Sequence, residues 1–440
     1  MKKNISTFFN ELGSEGSARL LMNASSQFHT FSFLETGALK TASYNSAGNC
    51  YDFICAINSA SEIYSPNSTF SEIQHFIFKN QGQWIFGHLN YDIKNRLEPS
   101  LSGNLTDPIG FPDFCLFIPE TVISCQNGSI TVWGNEANLV SIINLKIDEP
   151  VAENTEKHIV STVSFEEYER NFQKIQHHLY RGDIYEINYC IPFIANNFNL
   201  NVPAIRLKQR LLSPAPFSVL YKFNHLWLSC ASPERFIRKS GNKIISQPIK
   251  GTARRSGITV EDKASKEALL NSEKEKAENI MIVDLVRNDL SKVAQKGSVK
   301  VEELFGIYEF AHVFQMISTV SATLKNDLTF TDILKALFPP GSMTGAPKIS
   351  AMKIIEETES FKRGLFSGTV GYIHPNGDFD FNVVIRSILY NDETKTVLIP
   401  AGGAITVHCN VIDEYNECLL KAQANLNLLS LELPIAEKAV

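Results

Sequence analysis

The sequence predicts an α+β fold built on large antiparallel sheets. Three observations lead there. Short alternating apolar runs come in blocks, the gaps between them are hairpin-sized, and helical periodicity is confined to segments between the blocks. A doubly wound parallel sheet would alternate strand and helix instead. In chain order, Phe31-Ser32-Phe33-Leu34 and residues 84–89 and 129–133 read as strands bounded by turn residues. A charged, Pro-containing stretch over 147–157 marks a soft boundary. Beyond it, 165–180 has helical spacing and stops at Arg181-Gly182-Asp183. Strand-like runs follow at 184–190, 217–222, 226–230, 235–239 and 243–246. Residues 261–294 read as largely helical. Further strands fit 312–323, 365–373, 380–390 and 397–407, and 413–429 closes with a helix.

Composition narrows the function classes. A chain of 440 residues buries a large core, and 44% hydrophobic with 20% charged residues describes an ordinary globular protein. A net charge of −6 offers no basic surface to nucleic acid, although a local site can still be positive. The eight cysteines are scattered, without a Cys-x-x-Cys pair, and read as free thiols in a reducing compartment. No apolar run approaches the ~20 residues of a membrane span. Met1-Lys2-Lys3-Asn4-Ile5-Ser6 lacks the apolar core of a signal peptide, so the expectation is a cytoplasmic protein with no membrane association.

Four segments carry polar residues in suggestive patterns. Glu414, Glu417 and Lys421 share one helix face at i, i+3, i+7. Glu275 and Glu278 repeat the acidic pair on another helix, and two such pairs could converge on a hard cation such as Mg²⁺. On spacing alone both are better read as solvated charged faces. Pro339-Pro340-Gly341-Ser342-Met343-Thr344-Gly345-Ala346-Pro347-Lys348 precedes a helical stretch and is either an anion-binding turn or a plain helix entry. In Gln247-Pro248-Ile249-Lys250-Gly251-Thr252-Ala253-Arg254-Arg255, Lys250 is an anion contact, a nucleophile or merely exposed.

The order of these segments resembles the chorismate-utilising enzymes: anthranilate synthase component I, aminodeoxychorismate synthase component I, and isochorismate or salicylate synthases. The residues that carry the resemblance are Ala231-Ser232-Pro233-Glu234-Arg235-Phe236, Pro248-Ile249-Lys250-Gly251-Thr252, residues 278–290, His312-Val313, the 340–348 loop, Ser367-Gly368-Thr369-Val370-Gly371-Tyr372, 382–386 and 402–421. The N-terminal third matches more weakly, through Gly87-His88-Leu89-Asn90-Tyr91-Asp92 and Phe33-Leu34-Glu35. The resemblance implies two large antiparallel sheets packed face to face with helices outside. It implies a chorismate-binding catalytic domain over 160–432, with residues 1–150 packed on it rather than detached. It implies Mg²⁺ held by Glu275, Glu278, Glu414 and Glu417, with Glu278 and Glu417 as direct ligands. It places chorismate against Gly251, Thr252, His312, Thr344, Gly345, Tyr372, Arg386, Gly402, Gly403 and Lys421.

Within the family, Lys250 stands where anthranilate, isochorismate and salicylate synthases usually carry Ala, and where aminodeoxychorismate synthases carry Lys. The implied chemistry is attack by Lys250 on a ring carbon, with Glu234 protonating the departing hydroxyl and ammonia then displacing the lysine. The product is 4-amino-4-deoxychorismate, on the route to 4-aminobenzoate and folate. A neutral amine is needed, and a lowered Lys250 pKa is expected from burial or a nearby metal. No Gly-x-Cys-x-Gly nucleophile turn is present, so the ammonia is expected from a separate glutamine amidotransferase subunit. Two positions depart from the family pattern. Glu186 replaces the Gln of amine-transferring relatives and the Lys of isochorismate-forming ones, and Gly402-Gly403-Ala404 replaces Gly-Ala-Gly. The competing readings are anthranilate synthase component I and a non-catalytic amidotransferase-binding scaffold. Tryptophan binding by the N-terminal region stays open.

Overall fold

Apolar alternation along the strands decides how the layers stack. The computed structural model of the chain describes residues 5–35, 51–66, 68–101, 103, 105–135, 137–143, 158–160, 162–310 and 312–433. The soft boundary at 147–157 lies outside the described residues. Among the described residues eighteen strands form one continuous ladder in which every pairing is antiparallel. One half runs from Glu186–Ala195 through Thr396–Ile405, Ser387–Asn391, Leu226–Ser232, Phe217–Phe223 and Thr30–Glu35 to Phe53–Tyr64. The other continues from Phe114–Gln126 through Ile85–Leu89, Thr369–Ile373, Phe379–Asn382, Arg235–Ser240 and Lys243–Gln247 to Val313–Thr323.

The period-2 pattern puts alternate residues of the first half into two cores. Val219, Tyr221, Leu228 and Leu398 join Phe86, Val370 and Phe381 of the second half in one cluster. Leu220, Trp227, Tyr189 and Ile399 point the other way, into a cluster shared with the helices Ile5–Ala24, Phe165–Arg181 and Val411–Leu428. The two expected sheets are thus the halves of one hydrogen-bonded strip. Local signals set the helix ends. Ser164 accepts from the Glu167 N–H at the start of Phe165–Arg181, and Gly182 closes it in the left-handed conformation. The helical stretch over 261–294 is two helices, Thr259–Asn271 and Glu273–Val293, because Ser272 leaves helical geometry and caps the second by accepting from the Glu275 N–H.

The N-terminal strands are interior members of the ladder, since Thr30–Glu35 pairs with Phe217–Phe223 and Ile85–Leu89 with Thr369–Ile373. Glu35 is buried and paired with Arg206 at 2.8 Å and Arg210 at 2.6 Å. His88 is fully buried, its Nδ1 2.9 Å from the Tyr221 hydroxyl and its Nε2 2.9 Å from the Pro112 carbonyl. Burial drives its pKa down to about 4 despite the Pro112 hydrogen bond and the nearby Asp113. The unfolded chain, with histidine near 6.5, therefore binds the extra proton between the two values. The stability tied to a neutral His88 is fully present above pH ~6.5 and is lost as pH falls toward ~4. The stability difference between the wild type and His88→Gln should shrink by about 2 kcal/mol from pH 7 to pH 5 in urea unfolding. An unchanged difference would mean the ring is not held neutral.

Candidate active site

A β-bulge aims Lys250. The strand Ile249–Arg254 pairs with Val313–Thr323, but from Ile249 to Thr252 it advances one residue more than its partner does from Ile317 to Gln315. Gly251 takes the extra turn at φ +89°, and a side chain there would crowd the Glu275 carboxylate. The Lys250 side chain, 10% exposed, enters a cavity of about 750 Å³. Its Nζ donates to Glu186 Oε1 at 2.6 Å. Glu186 is buried, and its second oxygen, Oε2, has no hydrogen-bond partner.

Glu234 reaches the same cavity from the turn between Leu226–Ser232 and Arg235–Ser240. Ser342 Oγ donates to it at 2.6 Å. Burial pushes the Glu234 carboxyl up to about 7, against the lowering pull of Ser342 and Lys250. It can hold a proton near neutrality, which is what a general acid requires. Lys250 contradicts the expectation of a lowered pKa. Burial alone would lower it, but Glu186, Glu278 and Glu234 outweigh burial and hold the amine as an ammonium.

The four glutamates Glu275, Glu278, Glu414 and Glu417 line this cavity, from the helices Glu273–Val293 and Val411–Leu428. The solvated-face reading of the second helix fails at Glu414, which is buried. Gly403 permits that approach: a Cβ there would lie 3.0 Å from Glu414 Oε2. Burial raises Glu275, and raises Glu278 to about 7. It raises Glu414 too, with Glu417 adding to the effect. Glu417 goes the other way, because Lys421 at 2.5 Å outweighs its burial. Lys274 lies 3.5 Å from Glu414 and 3.9 Å from Glu278. Among the described residues no three acids form a ready-made metal cage. The donor set is nevertheless all oxygen, lysines offset its charge, and Glu414 Oε2 is buried without a hydrogen-bond partner. The residues fit a hard cation.

Of the residues expected to hold substrate, Gly251, Thr252, Arg386, Gly402 and Lys421 line the cavity, and Gly403 sits beneath Glu414. Lys421 also donates to the Gly402 carbonyl at 2.8 Å. Arg386 adopts φ 53°, a strained backbone for a residue with a side chain. Gly403 is not itself part of the lining, and the other four expected residues lie away from it. His312 is exposed, one residue ahead of the strand Val313–Thr323, and it is Val313 and Gln315 that face inward. Thr344 is buried with its hydroxyl on the Gly341 carbonyl, and Gly345 pairs with Ile187. Tyr372 packs on Tyr51, Trp84 and Phe86 at a separate small cavity that includes Leu34 and Glu35.

The polar groups of the 339–348 loop mostly shape the loop itself. Lys348 donates to Asp289, to the Leu337 carbonyl at 2.9 Å and to the Pro339 carbonyl at 2.8 Å. Ser342 and Met343 are what the loop presents to the cavity. Behind it lies a residue no motif flagged. Arg363 is fully buried, clasps Glu359 through two nitrogens, and donates to the Met343 carbonyl at 2.6 Å and the Asn188 carbonyl at 2.8 Å. Its guanidinium stacks 4.5 Å from the Tyr91 ring centre. Asn188, Gln315, Lys274 and Arg254 also line the cavity without having been singled out for it.

Comparison with known proteins gives a consistent result. The family model described as chorismate binding enzyme matches residues 23–427. A probable chloroplastic aminodeoxychorismate synthase of Oryza sativa subsp. japonica is 39% identical over 302 residues, which cover 68% of this chain and 32% of that protein. This chain therefore spans about a third of the rice protein's length. Anthranilate synthase component 1 of Aquifex aeolicus (strain VF5) is 32% identical over 374 residues, covering 79% of this chain and 74% of the relative. The crystal structure of anthranilate synthase component I from Streptococcus pneumoniae TIGR4 superposes with a TM-score of 0.72 at 25% identity, covering 84% of this chain and 91% of that one.

Proposed function

The chain belongs to the chorismate-binding enzymes, and from that premise we propose that it is an aminodeoxychorismate synthase component I. The observation that carries the reading is Lys250, turned by its bulge into the cavity that also holds Glu234 and the four glutamates. A lysine there supplies a nucleophile, which amination at the hydroxyl-bearing carbon needs and direct addition elsewhere on the ring does not. Glu234, whose carboxyl burial raises to about 7, would protonate the departing hydroxyl. Arg386 and Lys421, among the cations that line the cavity, would hold a substrate carboxylate. Glu278 and Glu417, with Glu275 and Glu414, would hold Mg²⁺, which neutralises their charge and anchors a second carboxylate when bound.

The ammonia would come from a glutamine amidotransferase subunit, and the product would feed 4-aminobenzoate and folate formation in the cytoplasm. The described cysteines are all free thiols, in keeping with a reducing compartment, and among the described residues no helix is long and apolar enough to cross a membrane.

Anthranilate synthesis is the second reading, supported by the longer reach of the Aquifex relative. Product analysis separates the two. With chorismate, Mg²⁺ and ammonium, this protein should consume chorismate and yield 4-aminobenzoate only after an aminodeoxychorismate lyase is added. Chelation with EDTA should remove the activity and Mg²⁺ should restore it. Anthranilate appearing without lyase would overturn the assignment, and undiminished turnover in EDTA would end the metal role.

A further inference from the structure

The Lys250–Glu186 contact makes an acid–base pair inside the cavity wall. Nζ and Oε1 are 2.6 Å apart, the two side chains are 10% and 1% exposed, and Oε2 of Glu186 is buried without a partner. A group that must attack as a free amine thus carries a proton whose hydrogen bond already runs to a carboxylate. A general base has to lie within hydrogen-bond reach of the proton it removes, and Glu186 does. We propose that Glu186 is the proton acceptor that positions and activates Lys250. The inference rests on the reading of Lys250 as nucleophile.

The step is a transfer within the pair. The Nζ–H bond breaks, an Oε–H bond forms, and both charges vanish together. The neutral amine then forms its bond to the ring as the hydroxyl leaves as water with the Glu234 proton. Ammonia displaces the amine, the Glu186 proton returns to Nζ, and the new C–NH₃⁺ group gives its extra proton back to Glu234. Chorismate and ammonia become aminodeoxychorismate and water, with every proton accounted for. At rest Glu186, Glu278 and Glu234 hold Lys250 as the ammonium, so the transfer is an uphill step made productive by the attack that follows it. Glu234, Glu275, Glu278 and Glu417 also face Lys250 but act at longer range, and none makes a hydrogen bond to Nζ. A glutamine at position 186 would leave the lysine to lose its proton to solvent.

That difference gives the test a signature that a purely structural role lacks. Glu186→Gln and Glu186→Asp are assayed beside the wild type with ammonium, Mg²⁺ and chorismate from about pH 6 to about pH 9, on protein shown folded by thermal melting. Near neutrality Glu186→Gln should lose roughly 100-fold in kcat with KM for chorismate little changed, and the deficit should close as pH rises. Glu186→Asp keeps a carboxylate and should fall between the two, converging with the wild type at alkaline pH. A Gln variant as active as the wild type at neutral pH overturns the proposal, as does a loss of equal size at every pH. If Glu186→Gln does not fold, the Asp profile decides by the same criterion. Lys250→Ala, run alongside, separates the two levels of inference. If it stays active, the nucleophile reading fails. If it is dead while the Gln variant shows no alkaline recovery, only the role of Glu186 fails.

Discussion

Lys250→Ala is expected to lower aminodeoxychorismate formation by several orders of magnitude, the scale on which a lost covalent step registers. The structure adds a complication that a sequence cannot show. Removing the ammonium leaves Glu186 buried without its cation, and an unpaired buried charge can cost about 3–5 kcal/mol. A dead Lys250→Ala enzyme could therefore be a damaged one. The double variant Lys250→Ala/Glu186→Gln removes both charges and should melt closer to the wild type than the single variant does, while remaining inactive. Lys250→Arg should keep the ion pair and fold well, yet be equally inactive, because a guanidinium stays protonated. If either folded variant makes aminodeoxychorismate near the wild-type rate, Lys250 is an electrostatic contact and the assignment loses its support. If Lys250→Ala makes anthranilate, the residue selects which carbon is aminated.

Arg363→Ala is expected to cause the largest loss of stability, about 3–5 kcal/mol in urea unfolding, or no folded protein at all. The side chain neutralises Glu359 and satisfies two carbonyls on separate elements, so its removal strands three acceptors in the interior. It is also a strut. One end holds Met343 of the cavity loop and the other holds Asn188, two residues along the strand from Glu186. Arg363→Met with Glu359→Gln removes the charge pair while keeping an acceptor for the Cys190 N–H, and should recover part of the loss. A single Arg363→Ala variant within ~1 kcal/mol of the wild type would show that the clasp is replaceable by water.

Many strands were legible because apolar alternation survives where one face meets a core, as it does from Phe217 to Phe223 and from Thr396 to Ile405, whereas Phe53–Tyr64 and Phe114–Gln126 were missed because less buried residues interrupt their middles. The strand Lys300–Glu309 was not, since its residues are mostly exposed or half-buried and leave no apolar stripe. The helix Ile5–Ala24 was missed because Gly13 interrupts it with a non-helical conformation. At the site, Glu275, Glu278, Glu414 and Glu417 were readable as two helical pairs, but only the long-range pairing of the strip brings them to one cavity. His312 was misplaced because side-chain direction on a strand has period 2, and the inward face belongs to Val313 and Gln315. Tyr372 was misplaced because its strand lies beside Ile85–Leu89, across the body from the Lys250 bulge. Lys348 looked like a ligand group and is an anchor. Arg363 gave no signal, since a lone arginine carries none until its neighbours are known.

The continuity of the strip governs how the nascent chain can fold. Ile187 pairs with Ile405, and Leu89 pairs with Thr369, so early strands meet their partners only when the far end has left the ribosome. At ~5–20 residues/s the wait for Thr369 is on the order of 15–60 s. Throughout it, Ile85–Leu89 presents an apolar edge with no partner, the kind of surface on which chains aggregate. Expressing the first half of the chain alone should therefore give insoluble material, and co-expression with the second half should rescue it.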